Sequence, residues 1–385
     1  MKITNVRTMK LAAPVPLERR WKNEAGSIQR HEAAIIVIET DEGLIGYGEA
    51  KGSPLVVEAI VNSRLRPLLV DQDPGRIEYL WESMYSGRRI GHALTHGVAY
   101  PSPNVRGEVL CAISGVDIAL WDLLGKTLNL PVHRLLGGGV RDGVRAYASG
   151  GWAGPGEAAD EVCAYIAKGY TAVKVRVGGL DSEDFPARSI RRLAEIRDAV
   201  GPSVELMMDA HGALTVPQAL SLARGAEEFG IRWFEEPVSA ADNLAGLAEI
   251  RAKTDISIAT GENEQTRYAF AAILQARAAD VLQPDLAIAG GITESRRIAA
   301  LAQAQGVTVE PHTWGTAVLS AASLQFMAAT PNCTVMEVGQ AYNPLLTDLI
   351  ITPVGAGPDG YCVVPTAPGL GFELQPDVER RYAWE

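Results

Sequence analysis

The sequence predicts an α/β protein, a modified (β/α)8 TIM-type barrel that follows an α+β N-terminal capping domain completed by the C-terminal segment. Three observations support this prediction. Eight short apolar stretches alternate with amphipathic helical stretches over about 200 residues. Extended segments joined by turns precede them, and strand and turn character returns near the C-terminus. A chain of 385 residues is long enough for a barrel with an appended domain.

The N-terminal unit, predicted to span residues 1–140, begins with three strands. An alternating stretch, KITNVRTMKL, is followed by the apolar IIVIET, and the turn at Asp41-Glu42-Gly43 leads into LIGYGEA, a pattern typical of a meander. Apolar residues at helical spacing then predict helices in PLVVEAIVNSRLRPLLV, DPGRIEYLWESMY and RGEVLCAISGVDIALWDLLGKTLN. The glycines at 137–139 mark the break after these helices.

The barrel is predicted over residues 141–355. Helices such as SIRRLAEIRDAV and ITESRRIAALAQAQ separate its eight strands, which are VRAYAS, TAVKVRV, ELMMDA, RWFEEP, SIAT, VLQPD, TVEPH and TVMEVG. The final residues, 356–385, include GYCVVPTAPGLGFEL and are predicted to pack back on the capping domain.

Polar residues capable of chemistry end every predicted barrel strand from the second to the eighth. They are Lys174 and Arg176, Asp209, Glu235, Glu262, Asp285, His312 and Glu337. From Asp209 onward the intervals are 26, 27, 23, 27 and 25 residues, the length of one strand plus one helix. Because the carboxyl ends of barrel strands face one mouth, where barrel enzymes hold their active sites, we expect these side chains to converge there.

Three acidic residues, Asp209, Glu235 and Glu262, follow three adjacent strands in apolar contexts. Taken singly, each could be a helix cap or a solvated loop charge. Taken together, three carboxylates in one mouth would repel one another unless a cation compensates them. Oxygen ligands of this kind suit a hard divalent ion, so the sequence predicts that these residues bind one Mg2+ per subunit.

An aspartate and a histidine follow the next two strands. Asp285 would fix the tautomer of the His312 imidazole and raise its basicity, as a general base requires, although a satisfied core histidine is the alternative. On the second strand, Lys174 and Arg176 point to the same face because strand side chains alternate. Two adjacent cations are expected to face an anion, the enediolate that forms when a metal-bound carboxylate loses its α-proton.

Together these motifs resemble the enolase superfamily, in particular its mandelate racemase/muconate lactonizing enzyme-like branch. The resemblance covers nearly the whole chain, including the SGVDIALWDLLGK helix, the Lys-x-Arg strand, the Asp/Glu/Glu series, the Asp and His of strands six and seven, and the terminal PGLGFEL. It implies Mg2+-assisted removal of the proton α to a carboxylate by His312, with Asp285 as the orienting group. It also implies that Glu337 hydrogen-bonds the same carboxylate.

Two positions favour elimination over racemisation. Racemases of this branch have lysine where this chain has Arg176, and a guanidinium does not lose its proton at ordinary pH. His312 is then the one strong base, with Lys174 a weaker candidate. His211 matches a histidine that some acid-sugar dehydratases use as the general acid for the departing hydroxyl, and a plain contact to substrate is the alternative.

The sequence therefore predicts a Mg2+-dependent acid-sugar dehydratase, a hydro-lyase that eliminates the C3 hydroxyl and yields a 2-keto-3-deoxy sugar acid. Either His211 or His312 itself would protonate the leaving hydroxyl. The alternatives are a sugar-lactone cycloisomerase or a racemase/epimerase of the same superfamily, and a non-catalytic binding homologue. A metal-dependent aldolase on a plain barrel would not explain the N-terminal meander or the C-terminal return.

Specificity is expected to come from the capping domain. The loops Leu17–Ser27 and Gly87–Gly97 are predicted to close over the mouth and to bring Arg20 and Trp21 to the substrate, although a solvated charge run is the alternative for the arginines. The motif PHTWGT resembles that of cycloisomerases acting on sugar-acid lactones, which implies that Trp314 lies near the substrate.

Composition limits the partners and the compartment. A net charge of -11 without a basic run argues against nucleic acid. No apolar run is long enough to cross a bilayer and the first residues lack a signal-peptide core, so we expect a cytoplasmic protein without a membrane partner. The four cysteines form no CxxC pair, which indicates packed thiols. The expected partner is a small-molecule carboxylate, a sugar acid or its lactone, and the resemblance implies a homo-oligomer.

Overall fold

The N-terminal unit contains the predicted meander. The computed structural model describes residues 1–23, 26–178 and 184–384. The strands of this unit are β1 Ile3–Pro14, β2 Lys22–Asn23, β3 Gly26–Ser27, β4 Arg30–Thr40 and β5 Ile45–Ala50. The long strands pair antiparallel in the order β1-β4-β5, while β2 and β3 form a separate short pair.

One face of this sheet is covered by helices. They are α1 Pro54–Ile60, a π-helical turn at Val61–Leu65, α2 Arg66–Leu69, α3 Ile77–Ser86, α4 Ile90–His96, α5 Glu108–Leu128 and α6 Val132–Leu135. Helix α5 lies so close to β5 that a Cβ added at Gly48 would be 2.1 Å from the carbonyl oxygen of Gly115. Glycine is required there because only a bare backbone fits the gap.

The predicted loop Gly87–Gly97 is instead mostly helical. A 3-10 turn at Gly87–Arg89 leads directly into α4, and Gly97 ends that helix with φ +63. The helix forms because Ala93 packs into the interior and the left-handed glycine satisfies the last carbonyls. The other predicted loop, Leu17–Ser27, includes residues 24 and 25, which lie outside the described residues.

All eight predicted barrel strands are present and parallel. They are β6 Gly143–Gly150, β7 Ala172–Arg176, β8 Glu205–Asp209, β9 Ile231–Glu235, β10 Ser257–Thr260, β11 Val281–Leu282, β12 Thr308–Val309 and β13 Val335–Gly339. Their order is β12-β11-β10-β9-β8-β7-β6-β13. Side-chain bonds link the two outer strands, since the carboxylate of Glu310 accepts the backbone N–H groups of Thr334 and Val335 at 2.9 Å. The predicted barrel with a capping domain is therefore confirmed.

The remaining elements surround the barrel. The barrel helices are α7 Ala158–Ile166, α8 Ala187–Val200, α9 Val216–Ala226, α10 Leu244–Arg251, α11 Thr266–Gln275, α12 Leu286–Ala289, α13 Gly291–Gln303, α14 Ala317–Ala329 and α15 Pro344–Thr347. Strand β14, Tyr361–Val363, and helix α16, Val378–Arg381, complete the chain. Within the described ranges, no helix is both long and apolar enough to cross a membrane.

Hydrogen bonds join the two units at the helices that follow strands β11 and β12. The Glu49 carboxylate, at the end of β5, accepts the backbone N–H groups of Thr316 and Leu319 at the N-terminus of α14. On α5, Asp117 accepts the N–H of Thr293 in α13 at 2.9 Å. The capping domain is thus attached to α13, which comes after Asp285 in the chain, and to α14, which comes after His312.

The C-terminal segment contacts both units. Strand β14 pairs antiparallel with β6 of the barrel. Further along, the N–H of Leu370 donates to Asp122 of α5 at 2.8 Å, and the N–H of Ala12 in β1 donates to the carbonyl of Tyr382 at 2.8 Å. The segment therefore ties the first barrel strand to the capping domain.

Candidate active site

A cavity of about 240 Å3 lies at the carboxyl ends of the barrel strands, beneath the capping domain. Nine of the twelve predicted site residues line it, namely Trp21, Lys174, Arg176, Asp209, His211, Glu262, His312, Trp314 and Glu337. The other three are Arg20, Glu235 and Asp285, of which the last two are fully buried beside it. The charged residues that recur at regular intervals in the sequence therefore lie around one cavity.

The imidazole of His312 is held by Asp285. His312 Nδ1 donates to Asp285 Oδ2 at 2.8 Å, and the other carboxylate oxygen accepts the N–H of Ala287 at the start of α12. This pair leaves Nε2 as the free ring nitrogen, 3.9 Å from Glu262. Burial alone would lower the pKa of His312, but the charges of Glu337, Glu262 and Asp285 outweigh it and raise that pKa to about 9.

The ammonium group of Lys174 lies between two buried carboxylates. It donates to Glu235 and, at 2.9 Å, to Glu337. Burial opposes the charge, but these carboxylates raise the pKa of Lys174 well above its ordinary value, so the side chain is an ammonium. Glu235 also accepts hydrogen bonds from Trp233 and Gln283, and burial raises the pKa of Glu235 to about 7 against the opposing effect of Lys174.

Each of the other two predicted ligands has its own cationic partner. Arg176 lies 2.9 Å from the Asp209 carboxylate, and His211 Nδ1 lies 2.9 Å from Glu262. The hydrogen bond to Glu262 raises the pKa of His211. The backbone of His211 has φ +51, and its N–H donates to Asp209 at 2.8 Å, which fixes the turn that presents the ring. The three acids are thus neutralised by three different side chains.

Three tryptophans form the other side of the cavity. The rings of Trp21 and Trp152 stack with centroids 4.5 Å apart, and Trp314 meets them edge-on at 5.8 and 5.6 Å. They come from the capping domain, from the loop after β6 and from the loop after β12. We call Trp21, Trp152 and Trp314 the tryptophan wall. An aromatic wall opposite a charged floor is typical of a site for a small polar molecule.

Comparison with known proteins identifies the family. Residues 157–378 match the family model described as enolase C-terminal domain-like, and residues 6–137 match the N-terminal domain of mandelate racemase / muconate lactonizing enzyme. The chain belongs to the mandelate racemase/muconate lactonizing enzyme family of the enolase superfamily. The resemblance noted in the sequence is therefore confirmed over nearly all of the chain.

Named relatives of this family member include enzymes of sugar acids. D-galactarolactone cycloisomerase of Agrobacterium fabrum is 37% identical over 390 residues, covering 98% of this chain and 97% of that protein. Arabinonate dehydratase of Saccharolobus solfataricus is 33% identical, and the match covers 99% of both proteins. The solved structure of a racemase from Streptomyces coelicolor A3(2) with bound magnesium superposes with a TM-score of 0.86 at 30% identity, covering 99% of this chain and 100% of that one.

The predicted ligands have the oxygen chemistry that Mg2+ prefers, and they end adjacent strands. Asp209 and Glu235 are register partners on β8 and β9, and Glu262 follows β10, so three carboxylates end three adjacent strands. Within residues 1–23, 26–178 and 184–384, no three acidic, histidine or cysteine side chains converge closely enough to hold an ion. Each of the three carboxylates is paired with a different basic side chain, Glu235 with Lys174, Asp209 with Arg176 and Glu262 with His211.

Arg20 is the predicted residue that the structure turns away from the cavity. Its Nε donates to the carbonyl of Val15 at 3.2 Å, which holds the side chain against its own strand end. Seven lining residues were not predicted as site residues from the sequence, and Lys51 and Trp152 are the two with a charged or aromatic side chain. The signal for Trp152 was available, since it follows the first barrel strand directly, where a barrel enzyme holds its site residues. No local pattern marked Lys51.

Proposed function

We propose that this family member is a Mg2+-dependent acid-sugar dehydratase. Its substrate is a small-molecule carboxylate of the sugar-acid class, which loses its α-proton and then the hydroxyl of the neighbouring carbon as water. The observation that carries the proposal is the asymmetry of the cavity. His312 has a free ring nitrogen and a buried aspartate behind it, whereas the lysine and arginine of β7 are both engaged with carboxylates.

The proton-transfer roles follow from this asymmetry. In its neutral form, His312 accepts the α-proton at Nε2, because Asp285 holds the Nδ1 hydrogen. With a pKa of about 9, this neutral form is the minor species at pH 7 and a correspondingly strong base. Lys174 and Arg176 keep their charges and stabilise the negative charge that develops on the substrate carboxylate. His211, whose ring is 42% exposed to the cavity side, then donates a proton to the leaving hydroxyl. With one base, proton removal from one face leads to elimination rather than inversion.

Asp209, Glu235 and Glu262 are the residues that would hold Mg2+. When bound, the ion supplies positive charge beside the substrate carboxylate and makes the α-proton more acidic. Glu337 is ionised in this arrangement, because Lys174 and the N–H of Thr313 lower its pKa against the effect of burial. Its predicted hydrogen bond to the substrate carboxylate stays a prediction.

A sugar-lactone cycloisomerase is the second candidate. It is favoured by the cycloisomerase that is 37% identical over nearly the full chain. Both reactions begin with removal of the α-proton by the same base, so the site alone does not separate them. They differ in mass balance, because dehydration removes one water and cycloisomerisation removes none.

The proposal is tested with purified protein, Mg2+ and a panel of aldonic acids, aldaric acids and their lactones in deuterated water. We expect exchange of the α-hydrogen and a product lighter by one water, detected by NMR and mass spectrometry. His312→Asn should lower both rates by at least ~10²-fold, the usual contribution of a general base. His96→Asn, which alters an exposed histidine of α4, is the control and should match wild type.

Two outcomes contradict the proposal. A product that has not lost water would assign an isomerase reaction instead, a cycloisomerase if its connectivity has changed and an epimerase if only its configuration has. Retained α-hydrogen exchange in His312→Asn would show that another group is the base.

A further inference from the structure

The tryptophan wall lies on the side of the barrel opposite the strands that lead to Glu235 and Glu262. Trp152 follows β6, and the ring of Trp314 packs on the end of β13, where a Cβ added at Gly339 would lie 3.1 Å from it. In the circular strand order, β13 and β6 are the neighbours farthest from β9 and β10, which carry Glu235 and Glu262. A substrate whose carboxylate faces the acidic strands therefore extends its far end toward the wall.

Neither of the two arginines that precede Trp21 in the chain is available to a second carboxylate. Arg20 donates to a backbone carbonyl, and the Arg19 guanidinium lies over the Tyr342 ring, 5.7 Å from its centroid. Lys51, which lines the same cavity, donates to the carbonyl of Trp314 and lies 4.0 Å from Asp285. Its charge therefore already faces a buried acid.

The wall does offer hydrogen-bond donors. The Nε1 atoms of Trp21 and Trp152 are buried and have no hydrogen-bond partner among the residues that the structure describes. A buried donor without an acceptor costs free energy, so both indoles are suited to an oxygen from a bound molecule. Their faces, in turn, suit the C–H groups of a sugar chain.

We infer that the tryptophan wall binds the uncharged polyol end of the substrate, so that this enzyme acts on aldonic acids, which have one carboxylate, rather than aldaric acids, which have two. Hydroxyl groups can accept from the two indole N–H groups at little cost. An ionised second carboxylate would lose its hydration against the indoles, while Arg19, Arg20 and Lys51 are engaged with other groups. The inference rests on the proposed function and names the substrate class for that site.

The test compares aldonic and aldaric acids of the same configuration at C2 to C5. Binding is measured by calorimetry to Mg2+-loaded His312→Asn, and kcat/KM is measured with wild type. We expect the aldonic acid to be preferred at least tenfold in both. The Trp152→Ala substitution should weaken binding of the aldonic acid at least tenfold and raise KM more than it lowers kcat. The Trp152→Phe substitution should reduce the affinity less, because it keeps an aromatic ring.

The control is Trp384→Ala, which removes an indole that lies under Arg30, outside the cavity lining. It should leave KM unchanged. A Trp152→Ala protein with a lower melting temperature but unchanged KM would show a packing role and overturn the inference. So would equal or tighter binding of the aldaric acids.

The two proposals fail in different ways. If aldaric acids exchange their α-hydrogen and lose water as well as aldonic acids do, the substrate class is wrong while the reaction stands. If no acid of either class exchanges its α-hydrogen with wild type, the proposed reaction is wrong and the inference falls with it.

Discussion

At the scale of single residues, the cavity is organised by charge pairs. Lys174 carries its ammonium group between Glu235 and Glu337, Arg176 pairs with Asp209, and His211 pairs with Glu262. Each pair is buried or partly buried, where an unpaired charge would be costly. His312 differs from Lys174 and Arg176 because an imidazole held at one ring nitrogen can accept a proton at the other, and it differs from His211 because its partner, Asp285, is fully buried behind a mostly buried ring. This difference is the physical basis for assigning the proton-accepting role to His312.

His211 is predicted to act after proton removal. In His211→Asn, α-hydrogen exchange should stay within tenfold of wild type, while loss of water should fall by ~10²-fold or more, because only the departing hydroxyl needs an acid. Asparagine tolerates the positive φ of this position, so the turn should be retained. Exchange and water loss are measured on the same sample in deuterated water.

The matched comparison is His312→Asn, in which both rates should fall together. If His211→Asn lost water at the wild-type rate, the histidine would be a substrate contact rather than the acid.

At the scale of elements, helix α5 connects the capping domain to the barrel. It packs against β5 on one side and against α12 and α13 on another. Asp117 of α5 accepts the N–H of Thr293, and Trp121 Nε1 donates to the Thr293 hydroxyl at 2.9 Å. Because Asp285 is the N-cap residue of α12, the packing of α5 also supports the position of Asp285, the partner of His312.

Asp117 is predicted to make stability depend on pH. Burial raises the pKa of Asp117 from 3.8 to about 7. Between these values the folded protein binds a proton that the unfolded chain releases, so the stabilising contribution is complete below about pH 4 and is lost as the pH rises through 7. The full change corresponds to up to ~4 kcal/mol.

The measurement is urea unfolding of wild type and Asp117→Asn at several pH values from 5 to 8. We expect wild type to lose stability relative to the variant as the pH rises, because asparagine does not titrate. A difference in the free energy of unfolding between the two proteins that does not change with pH would reflect the replacement of the carboxyl group by an amide. Parallel pH curves for the two proteins would rule out titration of Asp117 in this range.

At the scale of the whole molecule, the cavity needs both units. The capping domain contributes Trp21 and Lys51, and the barrel contributes the acids, the base and the other two tryptophans. The C-terminal segment holds the two units together, since it forms hydrogen bonds with β6 of the barrel and with α5 and β1 of the capping domain. The homo-oligomer implied by the family resemblance stays a prediction.

Removal of residues 378–385 is predicted to destabilise the protein by ~3 kcal/mol. The deletion removes the buried Val378 side chain and two backbone hydrogen bonds to β1, from Ala12 to Tyr382 and from Trp384 to Lys10. Denaturant unfolding of the truncated and full chains measures the loss.

The control is Glu379→Ala, which breaks only a surface pair with Arg7 and should cost less than ~1 kcal/mol. If the truncated chain matched the full chain in its unfolding midpoint, the last turn would not contribute to the stability of the capping sheet.

The sequence alone determined the barrel, its mouth and most of the charged site. Strand and helix periods are local properties, and a residue at the carboxyl end of a parallel strand must lie at the mouth wherever the other strands are placed. Asp209, Glu262 and His312 could therefore be assigned to the cavity without coordinates. Asp285 and His312 could be paired because their strands are neighbours.

Only the tertiary structure decided which side chains meet across long separations in the chain. Trp21 stacks on Trp152 and Lys51 reaches the carbonyl of Trp314 because the capping domain is docked on the barrel, and no local pattern encodes that docking. Arg20 turned to the carbonyl of Val15 because a nearby acceptor was available to it. Such contacts depend on how the two units pack, a property of the whole chain.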